Sequence, residues 1–101
     1  MYRVRFTPEA EQDLLRLYEF ILERDPTDWD LAERALEAIR AGIVTLEHFP
    51  FTCRKASADS ALLRELLISF GSTGYVALYE IDDHKTVTVL AVRHQRESDY
   101  H

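Results

Sequence analysis

Arg93-His94-Gln95-Arg96 closes an apolar stretch and offers, within four positions, two guanidinium groups and a side chain that exchanges a proton near neutral pH. Arg64, in an earlier apolar run, adds a third cation. Cleaving a phosphodiester through its own 2′-hydroxyl needs a group to take that proton, cations to hold the charge building on phosphorus, and an acid for the departing oxygen. Arg64, Arg93 and His94 would supply this set if the fold carried them to one phosphate across a sheet. Each also has a plainer account: Arg64 in an ion pair with Glu97 or Asp99, His94 hydrogen-bonded at a strand end, and Arg96 in solvent.

Other chemistry finds less support. His48, His84, His94 and His101 show no zinc spacing, and the single cysteine, Cys53, excludes an internal disulfide and a thiolate cage. Cys53 reads as a small half-buried apolar residue. Ser98-Asp99 near His94 lacks the strained turn and oxyanion donors of a serine hydrolase. Gly71 and Gly74 enclose a hairpin, and no nucleotide-binding fingerprint is present. No cofactor and no metal are expected.

The 101 residues suit one domain, 1–101, and no apolar run reaches the length of a membrane span. No signal peptide is visible at Met1, so the cytoplasm is the expected compartment and no membrane partner is expected. The net charge of −6 is uneven: residues 7–47 hold four arginines against eleven acids, a local charge of −7, and the rest sums to +1. Such a half repels phosphate backbones, so any anion must use the other half. Lys55 and Lys85 are the only lysines.

The elements that must position these groups are readable from spacing. Tyr2, Val4 and Phe6 alternate with Arg3 and Arg5, predicting a strand with one buried face. Thr7-Pro8-Glu9 supplies a cap hydroxyl, a proline at the first helical position and an acid at the positive end of the dipole. Ala10, Leu14, Leu17, Tyr18 and Ile21 then form one helical stripe ending near Arg24. Asp25-Pro26-Thr27-Asp28 is a turn whose Thr27 or Asp28 can cap a second helix, with Ala32, Ala35, Leu36, Ile39, Ile43 and Leu46 as its stripe. So short a connection predicts an antiparallel hairpin, and Gly42 within it implies close packing. Trp29 packs on the first helix or anchors a partner.

Residues 51–61 read as irregular, with Arg54 and Lys55 in a polar loop. Leu62–Phe70, Tyr75–Ile81 and Thr86–Arg93 read as an antiparallel meander. The last strand is apolar on both faces and therefore interior, and the first lies nearer an edge. The expectation is a two-layer α+β domain in strand–helix–helix–three-strand order, with the helical hairpin on one sheet face. The sheet's other side would leave apolar surface and a groove able to receive an amphipathic helix or an added strand.

In that order, Thr7-Pro8-Glu9-Ala10-Glu11-Gln12-Asp13-Leu14, Phe49-Pro50, Leu63-Arg64-Glu65-Leu66, Gly74-Tyr75-Val76 and Arg93-His94-Gln95-Arg96-Glu97 resemble the RelE/ParE toxins of bacterial type II toxin–antitoxin systems. Arg93 through Tyr100 resembles the ParE, or plasmid-stabilisation, branch in particular. The resemblance implies a mainly antiparallel sheet with the first strand beside the last. It also implies a cognate ParD-like antitoxin of the ribbon-helix-helix type, and operator DNA met only through that antitoxin. The target implied for the ParE branch is DNA gyrase, contacted through Arg64, Arg93, His94, Gln95 and Arg96 with no catalytic residue. The RelE branch implies ribosome-dependent cleavage of mRNA, for which Arg64, Arg93, His94 and Tyr100 would be the candidates. Phe51-Thr52-Cys53, where some ribonuclease relatives place an acidic base, and the scarcity of lysine both weigh against catalysis.

Overall fold

The structure, a computed structural model, describes residues 1–97. Asp99 as a partner for Arg64, and the part assigned to Tyr100, lie outside the described residues.

Strand β1 (Arg3–Phe6) leads through Thr7 into α1 (Pro8–Arg24). The Thr7 hydroxyl accepts from the Ala10 amide at 3.1 Å, and Pro8 occupies the first turn, where its missing N–H costs nothing. A short turn, in which the Asp25 carboxylate accepts from the Thr27 amide and hydroxyl, leads to α2 (Trp29–Val44). Asp28 takes the cap position of α2 without a side-chain hydrogen bond, so neither candidate cap acts through its side chain on that helix. A 3-10 turn (Thr45–Glu47) follows, then β2 (Arg54–Ser57), β3 (Ser60–Phe70), β4 (Thr73–Ile81) and β5 (Thr86–His94).

The five strands form one sheet in the order β1-β5-β4-β3-β2, with β1 parallel to β5 and every other pairing antiparallel. The first strand thus lies beside the last and at an edge, as expected. The β2 strand corrects the sequence reading: Arg54 and Lys55 pair with Glu65 and Arg64 across β3 rather than lying in a loop. Arg-Lys-Ala-Ser carries no apolar alternation, so the ladder to β3 makes this strand, not its own pattern.

The helical hairpin covers one sheet face. Ala10, Leu17, Ala35 and Ile39 from the helices close on Tyr75, Ala77, Tyr79 and Val87 from the sheet. Gly42 sits where α2 crosses β3, and a Cβ there would lie 2.8 Å from Ile68 Cγ1, which explains the glycine within a helix. Trp29 meets the Tyr18 ring at 6.4 Å between centroids but stays 58% exposed. On the uncovered sheet face Leu67 is 51% exposed.

Candidate functional site

Where the cationic side chains point is decided by one extra residue in β5. Tyr79 pairs with Val89, while its neighbour Leu78 pairs with Ala91, so Leu90 is a bulge without a partner on β4. Before the bulge, Val87 and Val89 face the helices. An unbroken alternation would keep Ala91 and Arg93 on that side too. The bulge reverses the parity, so Val92 and His94 face the helices and Arg93 faces away.

Arg64 pairs with Tyr79 and so lies on the helix side, whereas Arg93 pairs with Val76 on the opposite side. The expected convergence of Arg64 and Arg93 on one phosphate therefore does not occur. The bulge separates them, and no period-of-two reading could see it.

Each arginine is engaged with main chain. Arg64 Nε donates to the Ala61 carbonyl at 2.7 Å, and its Nη1 donates to the carbonyls of Cys53 (2.8 Å) and Phe51 (3.1 Å). Its guanidinium also sits 5.5 Å from the centre of the Phe51 ring. With the buried Tyr79 hydroxyl donating to the Pro50 carbonyl at 2.6 Å, Arg64 fastens the α2–β2 connection to the sheet. Burial pushes the Tyr79 phenol well above its usual 10, so it stays protonated as that donor. The ion pair expected between Arg64 and Glu97 does not form, because Glu97 pairs with Arg16 at 3.2 Å. Arg93 Nη1 donates to the Glu97 carbonyl at 2.7 Å, and at greater length to those of His94 and Gln95. It folds the C-terminal turn around its own head group.

His94 is likewise committed. The Arg96 amide can only donate, so His94 Nδ1, 3.1 Å away, must accept. Nε2 then carries the proton and donates to Thr73 Oγ1 at 3.1 Å. The ring stands edge-on to Tyr75, with centroids 5.4 Å apart. Burial, helped by the Arg96 charge, holds its pKa below the usual 6.5, and Glu97 offsets this in part. The imidazole is thus neutral and bonded at both nitrogens, a turn-fixing role rather than that of a poised acid. Gln95 is anchored through its amide to the Gly74 carbonyl at 2.9 Å, and Arg96 is exposed.

Sequence reasoning missed the groups on α1 that hold this end of β5. Beyond Val89 the strand has lost β1, and α1 side chains take over its edge. The Thr7 hydroxyl donates to the Leu90 carbonyl at 3.2 Å. The Asp13 carboxylate, 3% exposed, accepts from the Val92 amide at 2.9 Å. Arg16 reaches the Val92 carbonyl at 3.5 Å and Glu97 at 3.2 Å, and Glu97 accepts from the His94 amide at 3.0 Å. The available signal was position: Asp13 lies three residues after Ala10 and four before Leu17, so it is an acid on the buried stripe.

Between α1 and the β3–β4 turn lies a cleft of about 620 Å³, bordered by Arg16, Phe20, Arg24, Thr73, His94 and Arg96. It gathers cations in an otherwise acidic chain. A smaller groove of about 380 Å³ runs along the two helices beside Leu15, Tyr18, Glu33 and Arg40. No cluster of His, Cys, Asp and Glu fit to hold a metal ion occurs among the described residues. No helix among them is long and apolar enough to cross a membrane.

A sequence profile for the ParE toxin of the parDE type II toxin–antitoxin system matches residues 4–99. Toxin RelE3 of Caulobacter vibrioides is 32% identical over 97 residues, covering 96% of this chain and 98% of that protein. The structure of a chromosomal ParDE TA system from P. aeruginosa includes a chain that superposes with a TM-score of 0.70. Its identity is 15%, over 93% of this chain and 96% of that one.

Proposed function

The chain belongs to the ParE toxin family of type II toxin–antitoxin systems, and from that premise we propose that it inhibits DNA gyrase, and hence replication, by protein–protein contact. A ParD-like antitoxin sequesters it in the cytoplasm and carries it to operator DNA. The contact surface is the rim formed by Arg93, His94, Gln95 and Arg96, with Arg64 acting from a distance by fixing the α2–β2 connection. The observation that carries this reading is the state of the three groups a nuclease would need. Arg64 and Arg93 lie on opposite sheet faces, and both His94 nitrogens are already bonded. None of them is arranged to take a proton from a ribose hydroxyl.

Antitoxin capture finds a suitable surface in the helical hairpin groove beside Leu15 and on the open sheet face around Leu67. The likeness to a toxin named RelE3 keeps a ribosome-dependent endoribonuclease as the second reading. Purified protein added in parallel to a gyrase supercoiling reaction and to an in vitro translation reaction separates the two. Inhibited supercoiling with intact message is expected. Message cleavage that is lost in His94→Ala would overturn the proposal in favour of the nuclease, and silence in both assays would leave an antitoxin-binding co-repressor.

A further inference from the structure

The 620 Å³ cleft between α1 and the β3–β4 turn is within the size range of sites for small organic ligands. Its inner wall is apolar, built from Leu17, Ile21 and Tyr75, and Phe20 stands at its border 56% exposed. Its polar groups divide into two sets. Arg16 is already matched by two acids, Glu97 at 3.2 Å and the buried Asp13 at 3.8 Å. Arg24 and Arg96 form no ion pair among the described residues, in a molecule whose net charge is −6.

Two further guanidiniums suit the higher charge and several oxygens of a phosphate, which arginine grips through paired N–H groups. An exposed aromatic ring beside them suits a flat base, which stacks on its face whatever the base's identity. The −7 charge of residues 7–47 disfavours a long polyanionic strand, but Arg24 gives this half a cation at the cleft, so a single phosphate can be met from both halves, contrary to the expectation from charge alone.

We propose that this cleft binds a nucleoside phosphate, with Arg24 and Arg96 holding the phosphate and Phe20 carrying the base. Arg96 and His94 also belong to the rim assigned above to target contact, so a bound nucleotide would mask that rim. This consequence rests on the gyrase reading, whereas the binding itself does not.

Amide spectra of the ¹⁵N-labelled full-length protein, recorded during titration with AMP, adenosine and inorganic phosphate, test the site. AMP is expected to shift Phe20, Thr73 and Arg96 saturably, with adenosine and phosphate each weaker by about tenfold or more. Arg24→Gln combined with Arg96→Gln should weaken AMP binding by about tenfold or more. Arg34→Gln, on exposed α2 and paired with Asp30, should leave binding unchanged. Phe20→Ala should reduce AMP affinity to that of phosphate alone. Thermal melts of each variant distinguish lost binding from lost fold. No saturable AMP shift, unchanged affinity in the folded double variant, or phosphate binding as tightly as AMP would each overturn the proposal. A protein that binds AMP yet leaves gyrase untouched would uphold the site and refute only the target.

Discussion

At the scale of single residues, His94 and Asp13 have the most to lose. The folded environment holds the His94 imidazole below its usual 6.5, so as pH falls the unfolded chain takes up this proton first. The His94 contribution to stability is therefore complete above about 6.5 and drains away as pH drops towards the folded value. Protonation at Nδ1 would also repel the Arg96 amide that it now accepts from. Melting temperatures measured from about pH 7 down to about pH 5 should fall more steeply for the wild type than for His94→Gln, which cannot titrate there. For Asp13, the variant Asp13→Ala strands the Val92 amide beneath α1. An unfolding midpoint in urea should report a loss of about 1–3 kcal/mol, with Asp13→Asn losing less because an acceptor oxygen remains. The sequence made the cations at the end of β5 visible because they interrupt an apolar run. It hid what they touch, because Arg64, Arg93 and His94 all bond main-chain or hydroxyl groups whose positions no side-chain pattern encodes.

At the scale of elements, the hairpin, the meander and the edge position of β1 were legible because each buries one periodic face. The β2 strand was not, since four polar or small residues carry no such face. What holds this region is Arg64, which ties three carbonyls on both sides of β2. Arg64→Ala should cost about 1–3 kcal/mol. Hydrogen exchange should speed up at residues 51–55 while the end of β5 keeps its protection. Faster exchange confined to β5 would show that the clasp lies elsewhere. A loss of toxicity in Arg64 variants would then trace to a loosened connection that bears Phe49 and Phe51, both exposed. A second close fit governs the β3–β4 hairpin. A Cβ at Gly74 would fall 2.1 Å from the Ile68 carbonyl oxygen, so Gly74→Ala must push two strands apart. Its melting temperature should drop by several degrees, equivalent to about 1–3 kcal/mol of overpacking.

At the scale of the whole molecule, the two ends of the chain close the sheet on each other. Arg3 through Phe6 pair with Thr86 through Val89, so the fold is completed only when its last strand has formed. Removing residues 1–6 should expose that edge of β5 and abolish cooperative unfolding, with aggregates on size exclusion; a monomer with a sharp melt would show β1 to be dispensable. One further consequence follows from the unpaired Leu90. Excising its codon would let Val89 run directly into Ala91 in an even pleat, with Val92 and His94 still under the helices and Arg93 still on the other face. A chain shorter by that one residue would thus lose the kink in its last strand and keep the same groups on the molecule's two surfaces, whereas a second inserted residue beside Leu90, held in a regular ladder, would leave those faces in place only if it too bulged out.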